Sequence, residues 1–327
     1  MRFFAPAVEP KAIILSPKQR CLQAFLSQAV ADAFCYPFEF GRPKLEDIEA
    51  HWRSRSKIYI TDDTQMAMFG LYGLAEGIRN NKPVFEPQLY ADFLLPAYLA
   101  WYRTQHNDPV VGNNWLESRR EMRKTQAPGS TCLNSLQQWK WGVRPKTLSK
   151  GTGAVMRSLP FVFMKDLGTE YYFYNEHTVA TMAGRLTHGH PESDEAVGLY
   201  MAVAKTMLNL DHEPPALIAY LDSILADYKV QKLANMDQIQ KKYGDTFTAL
   251  PAMLAAVVTL RNALKKDDFK IILTECSINN GDSDTVAAIV GGLWGLTKPA
   301  PKTLINRLAE RQLIEELIDW SFALAPV

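Results

Sequence analysis

No two of the four cysteines, Cys21, Cys35, Cys132 and Cys276, stand in a CxxC pair. Zinc therefore has no thiolate ligand pattern here, and the scatter fits reduced thiols in a cytoplasmic protein. An excess of one charge is also missing. The 36 Lys and Arg residues nearly balance 35 Asp and Glu, so nothing calls for nucleic acid or an anionic membrane as partner. No apolar run is long enough to span a bilayer; the longest, Ala249 to Leu260, reads as a buried helix. A signal-peptide core is absent too, because Pro6, Glu9, Pro10 and Lys11 interrupt the start. Alternating β-branched strand patterns are scarce, and no repeat, low-complexity tract or linker-like composition shift divides the chain.

What is present is 327 residues with 47% hydrophobic content, enough to bury a large core. The pattern predicts one compact, mostly α-helical domain over residues 17–327, preceded by an arm at residues 1–16. Ser16-Pro17 reads as N-cap and first helical position of a helix running to about Phe34. Lys44 to Trp52 is a short helix, and a long apolar-aromatic pattern runs from Pro87 to about Gln105. The stretch from Asn107 to Lys150 is the least regular, and its Arg119, Arg120, Arg123 and Lys124 read as a solvated face. Further helices are expected over Glu176 to Leu186, Ser193 to Leu208, Pro215 to Tyr228, Pro251 to Leu264 and Thr303 to Leu324.

Two short clusters carry the chemistry. Ile60-Thr61-Asp62-Asp63-Thr64-Gln65-Met66 and Asn280-Gly281-Asp282-Ser283-Asp284-Thr285 each precede an apolar helical run. Both look like helix N-termini, where Thr and Asp accept hydrogen bonds from free backbone N–H groups and negative charge suits the dipole. Capping needs one such residue per helix. Packing four aspartates together is repulsive without a cation between them. An all-oxygen set suits hard divalent metals, magnesium first and manganese second. Behind the second cluster, Gly291, Gly292 and Gly295 are costly in a helix interior unless another backbone approaches closely. Elsewhere, Gly151-Thr152-Gly153-Ala154-Val155-Met156-Arg157 is a small-residue turn able to present N–H groups to a phosphate. Leu186-Thr187-His188-Gly189-His190-Pro191 places two histidines at a helix exit, where a dipole contact or surface turn accounts for His190.

In this order, ITDDTQM, GTGAVMR, LTHGHP and NNGDSDTVAAIVGGLWG resemble the ADP-ribosylglycohydrolase family, over about Cys21 to Leu296. The resemblance implies an all-α, single-domain orthogonal bundle with two magnesium or manganese ions in a central cleft. It implies metal ligation by Thr61, Asp62, Asp63, Asp282, Asp284 and Thr285. Glu39 falls where some relatives place an acidic group beside the metals. Gly151, Thr152 and Gly153 match the loop that holds the diphosphate, and His188 the histidine lining the ADP-ribose cleft. There are departures. The family's first helix carries a Gly-Asp-Ala-Leu-Gly-like sequence, here Ala31-Asp32-Ala33-Phe34-Cys35, so bulkier residues stand where room near the cleft is expected.

The implied activity is removal of ADP-ribose from protein side chains, arginine-linked first, through an oxocarbenium-like state. A carboxylate among Asp63, Asp282 and Glu39 takes the attacking water's proton or assists the leaving guanidine. Two other readings stand beside it. One is a relative that binds ADP-ribose without turnover. The other is an antitoxin whose arm, with Phe3-Phe4 and Ile13-Ile14-Leu15, docks into an ADP-ribosyltransferase.

Overall fold

The computed structural model describes residues 15–80, 89–168, 176–210, 213–230, 232, 236–278 and 281–323. Most of the arm, together with Asn280, lies outside them. Among the described residues there are fifteen α-helices and no strand, only two isolated β-bridges. The helices are α1 (Pro17–Cys35), α2 (Leu45–Arg53), α3 (Asp62–Arg79), α4 (Leu95–His106), α5 (Ser130–Lys140), α6 (Leu159–Val162), α7 (Glu176–Gly184) and α8 (Pro191–Asn209). They continue with α9 (Pro214–Asp227), α10 (Met236–Tyr243), α11 (Ala249–Lys266), α12 (Phe269–Ile278), α13 (Ser283–Gly295), α14 (Lys302–Ile305) and α15 (Arg311–Phe322). No described helix is long and apolar enough to cross a membrane.

The centre of the bundle is α1, α3, α11 and α13. A helix that is apolar all round must be buried all round, and every residue of α13 is buried. Its close partner is α1, which begins at the expected Ser16-Pro17 pair. Ser16 Oγ accepts from Gln19 N, and Gln19 Oε1 accepts from Ser16 N. Glycine lets the two helices approach. A Cβ on Gly291 would lie 2.5 Å from the Ser27 carbonyl oxygen, and one on Gly295 would lie 2.5 Å from Ala24 Cα. The three-glycine cost is thus offset by an α1–α13 seam of small residues. The same seam brings Asp32, near the end of α1, beside the starts of α3 and α13.

The C-terminal pattern expected as one helix over Thr303 to Leu324 is broken into α14 and α15. Between them Arg307 donates to the carbonyls of His51, Trp52 and Ser56, and Leu308 forms a parallel bridge with Ile58. Those contacts hold the chain just ahead of Thr61 and need a turn that a continuous helix cannot supply. The irregular middle also hides a helix, α5. Its sequence is Gln- and Ser-rich, and only Cys132, Ser135 and Leu136 are buried. Of the basic scatter before it, Arg119 pairs with Glu316 and Arg123 donates to the Asp108 carbonyl.

Candidate metal and ADP-ribose cleft

Thr61 caps α3: its side chain accepts from Asp63 N at 3.3 Å. Asp62 and Asp63 are therefore free of capping duty. Asp62 Oδ2 accepts from Gly129 N at 3.0 Å, while Asp62 N donates to the Gln126 carbonyl. At the other cluster Asp282 occupies the N-cap of α13 without making a cap hydrogen bond. Its carboxylate accepts instead from Thr152 Oγ1 at 3.0 Å, which ties it to the Gly151–Gly153 turn.

The expected residues meet around one cavity of about 350 Å³. Its walls include Glu39, Asp62, Asp63, Asp282, Asp284 and Thr285, together with Gly151, Thr152, Gly153 and His188. Thr61 stands behind this wall, its hydroxyl 2.8 Å from Asp32 Oδ1 and 3.0 Å from Asp63 Oδ2. Two groups of carboxylates each come within 4.8 Å of mutual contact: Asp32, Asp63 and Asp284, and Glu39, Asp282 and Asp284. Asp284 belongs to both. Asp62 belongs to neither and lies along the cleft wall.

Several participants escape a sequence reading. Asp32 is fully buried and accepts from Thr61 N, Thr61 Oγ1, Thr64 N and, at 2.5 Å, Thr64 Oγ1. It thereby locks the first turn of α3. Glu310, at the start of α15, accepts from Ile60 N. Phe40 and Phe247 stack at the cleft mouth with ring centroids 5.2 Å apart, and Phe40 holds a left-handed φ of 58°. The bulky Phe34 and Cys35 do not narrow the cleft. Phe34 packs on His51 and Trp52, and Cys35 faces Leu273 and Ser277. His190 is a cap, its Nδ1 accepting from Glu192 N.

The electrostatics fit divalent cations. Among the described residues no Lys or Arg lines the cavity. Burial raises the carboxyls of Asp62, Asp63 and Asp284 well above the usual range, and repulsion from neighbouring carboxylates adds to it. Asp63 Oδ1 is buried with no well-formed hydrogen bond, although the Thr285 hydroxyl lies near enough to lower the carboxyl's pKa. A carboxylate oxygen left bare among like charges suits a cation. Among the described residues, the carboxylates close enough together to share an ion are Asp32, Asp63 and Asp284, and Glu39, Asp282 and Asp284.

A stability prediction follows. Burial lifts Asp32 from 3.8 to about 6 and Glu39 from 4.5 to about 7. A carboxyl whose folded pKa is raised binds its proton more tightly in the folded state. Its contribution is complete below the unfolded value and fades as pH rises through the folded one. With EDTA present, Tm should fall between about pH 4 and pH 7, and the Tm gain from added magnesium should widen over the same window. Thermal unfolding with and without magnesium across that range checks this; a magnesium effect constant with pH contradicts it.

The comparisons agree with this geometry. The family model described as ADP-ribosylglycohydrolase matches residues 15–327. Among solved structures the chain is similar to one described as an ADP-ribosylglycohydrolase-related protein complex, with TM-score 0.60 and 21% identity, over 95% of this chain and 99% of that one. At that identity the likeness speaks for the fold. No curated protein matches the chain. A family match that takes in the whole helical body leaves one conclusion: the chain belongs to the ADP-ribosylglycohydrolase family, a family of metal-dependent hydrolases.

Proposed function

We propose that this protein removes ADP-ribose from modified protein side chains, arginine-linked in the first place, with two magnesium or manganese ions. The observation that carries the reading is the pair of carboxylate groups sharing Asp284, set in a cleft that the glycine turn also lines and that, among the described residues, no Lys or Arg enters. Cations held by Thr61, Asp62, Asp63, Asp282, Asp284 and Thr285 would supply Lewis acidity, orienting the ribose hydroxyls and acidifying a water.

The chain's own groups do the rest. Gly151 to Gly153 hold the diphosphate, and the bond from Thr152 to Asp282 fixes that loop against the acidic wall. Binding energy spent on the diphosphate positions the reacting ribose carbon remotely from it. The bond between that carbon and the guanidine nitrogen breaks, its electron pair leaves with the nitrogen, and water adds to the carbon. Asp63, Asp282 and Glu39 are the carboxylates that can take the water's proton or hand one to the departing guanidine. Glu39 is the half-exposed member, so a proton it accepts has a path to solvent. A reducing, cytoplasmic setting belongs to the same proposal, since all four cysteines are buried and unpaired. So does the division into an arm at residues 1–16 and a helical body. The readings as a silent ADP-ribose binder or as a transferase-blocking antitoxin gain no support from a cleft that keeps its full carboxylate set.

The test is release of ADP-ribose from arginine-linked and, in parallel, serine-linked protein, with magnesium, manganese or EDTA. Multiple turnovers on the arginine substrate with magnesium, abolished by EDTA, are expected. Turnover on the serine substrate alone would overturn the linkage, and EDTA-resistant release would overturn the metal site.

A further inference from the structure

Arg157 is a buried cation with no job in the chemistry above. It is 1% exposed, and among the described residues no carboxylate pairs with it. A guanidinium without a counter-charge is costly inside a protein unless hydrogen bonds or a bound anion repay it. Its hydrogen bonds run to the glycine turn and to the C-terminal end of α7. Nη1 donates to the Gly153 carbonyl at 2.6 Å, and Nη2 to the Ala183 carbonyl at 3.2 Å and to Thr187 Oγ1 at 2.7 Å. The Tyr98 ring stacks against it with its centroid 4.6 Å away, and its Nε has no partner among the described residues. The guanidinium thus sits beneath the glycine turn, clamped to its last glycine.

The bond to Thr187 continues to His188. Thr187 Oγ1 lies 2.8 Å from His188 Nδ1 and 3.4 Å from the Gly184 carbonyl. A hydroxyl already accepting from a cation is polarised to donate onward, and its better-placed acceptor is the imidazole nitrogen. Nδ1 then takes the hydroxyl proton as an acceptor, and the ring's own proton is on Nε2. That nitrogen faces the turn, 3.1 Å from where a Cβ on Gly151 or on Gly153 would stand. A Cβ on Gly153 would also meet His188 Cε1 at 2.6 Å, so glycine is needed for the ring to lie against the loop. Burial, then the neighbouring guanidinium, lowers His188 to about 3, which keeps the ring neutral with a single proton to place.

We infer that Arg157 is a positioning residue for the diphosphate of ADP-ribose. Its guanidinium supplies the cleft's buried counter-charge beneath the Gly151–Gly153 turn and, through Thr187, fixes His188 as an Nε2–H donor facing that turn. The role of the charge rests on the ADP-ribose reading above; the tautomer does not.

Two measurements separate these. Long-range proton–nitrogen NMR of the unliganded protein identifies which His188 nitrogen carries hydrogen. Nε2 is expected in the wild type, with a mixed or reversed pattern in Thr187→Val. Calorimetric titration with ADP-ribose then compares Arg157→Met, Arg157→Lys and Thr187→Val with the wild type. Arg157→Met should weaken binding by about 10–100-fold, the scale of a lost charge-assisted hydrogen bond. Arg157→Lys should recover part of that loss, because it keeps the charge without the fork. Thr187→Val should weaken binding by about 10-fold, and because it keeps the Arg157 charge and its carbonyl partners it carries the test if Arg157→Met does not fold. A hydrogen on Nδ1 in the wild type, or unchanged affinity in Thr187→Val, overturns the relay. Equal affinity in Arg157→Met overturns the counter-charge. A wild-type protein that binds no ADP-ribose overturns the substrate reading and the counter-charge together, while the His188 spectrum still decides the relay.

Discussion

Asp284→Asn should abolish magnesium-dependent release of ADP-ribose, lowering kcat by at least about 10³-fold, the loss expected when a group acting directly on the reacting centre is removed. Asp284 is the residue shared by both carboxylate groups, so one substitution degrades both. The fold should not suffer. Asp63, Asp282, Glu39 and Asp32 all repel the Asp284 carboxylate, after burial itself as the main cost. Replacing it with a neutral isostere relieves that repulsion in the metal-free protein. The variant's Tm in EDTA should therefore equal or exceed that of the wild type, while the Tm rise produced by magnesium shrinks or disappears. Activity lost together with stability in EDTA would mean that Asp284 holds the fold and not the metal. Near-normal turnover at saturating magnesium would remove it from the site altogether. Asp62, which stands outside both carboxylate groups but lines the same cleft, gives the companion variant Asp62→Ala, with activity loss again expected on an intact fold.

The second large effect is structural, and two principles disagree about its sign. By helix propensity, Gly291→Ala in the interior of α13 should stabilise by about 1 kcal/mol. By packing it should destabilise, because the added Cβ would stand 2.5 Å from the Ser27 carbonyl and 2.6 Å from Ala31 Cβ. Neither neighbour is the free end of a flexible chain. One is backbone, and the other is a methyl fixed on a buried helix. Overpacking of this kind costs about 1–3 kcal/mol or more, so packing wins. Gly291→Ala should lower Tm by a few degrees, roughly 2–5 °C. Gly291→Val should leave little folded protein. Since Asp32 reaches the metal wall through the same seam, magnesium affinity should fall in Gly291→Ala alongside stability. A Tm unchanged or raised in Gly291→Ala would show that α1 and α13 are not in contact at this point.

Particular residues explain what could be read from the chain and what could not. Thr61-Asp62-Asp63 and Asp282-Ser283-Asp284 stand out because each places more charge at a helix start than capping can use, a local signal. The glycines of α13 stand out because they break a propensity rule, and the structure supplies the close approach that justifies them. Asp32, Glu310 and Arg157 do not stand out. Asp32 and Arg157 are lone charges in apolar runs, Glu310 sits among arginines, and the role of each exists only where distant segments meet. Glu310 accepts from Ile60 N across 250 positions of chain. The turn that delivers it looks helical in sequence, because Thr303 to Leu324 keeps an apolar spacing through the break. In α5 the opposite holds: its backbone is helical, but its polar surface gives the pattern too little contrast to register.

The α1–α13 seam also governs the order in which the protein can be made. Gln23 Nε2 donates to the Gly295 carbonyl across 272 positions, so α1 leaves the ribosome long before the helix that covers it. At about 5–20 residues per second, α1 waits roughly 15–55 s with its small-residue face uncovered. Asp32, Asp62 and Asp63 emerge first, and Asp282 and Asp284 complete the acidic pocket only once α13 has been made. A nascent chain halted before α13 has no closed cleft and exposes a face suited to chaperone capture. The acidic pocket is therefore completed only as the core closes around α13.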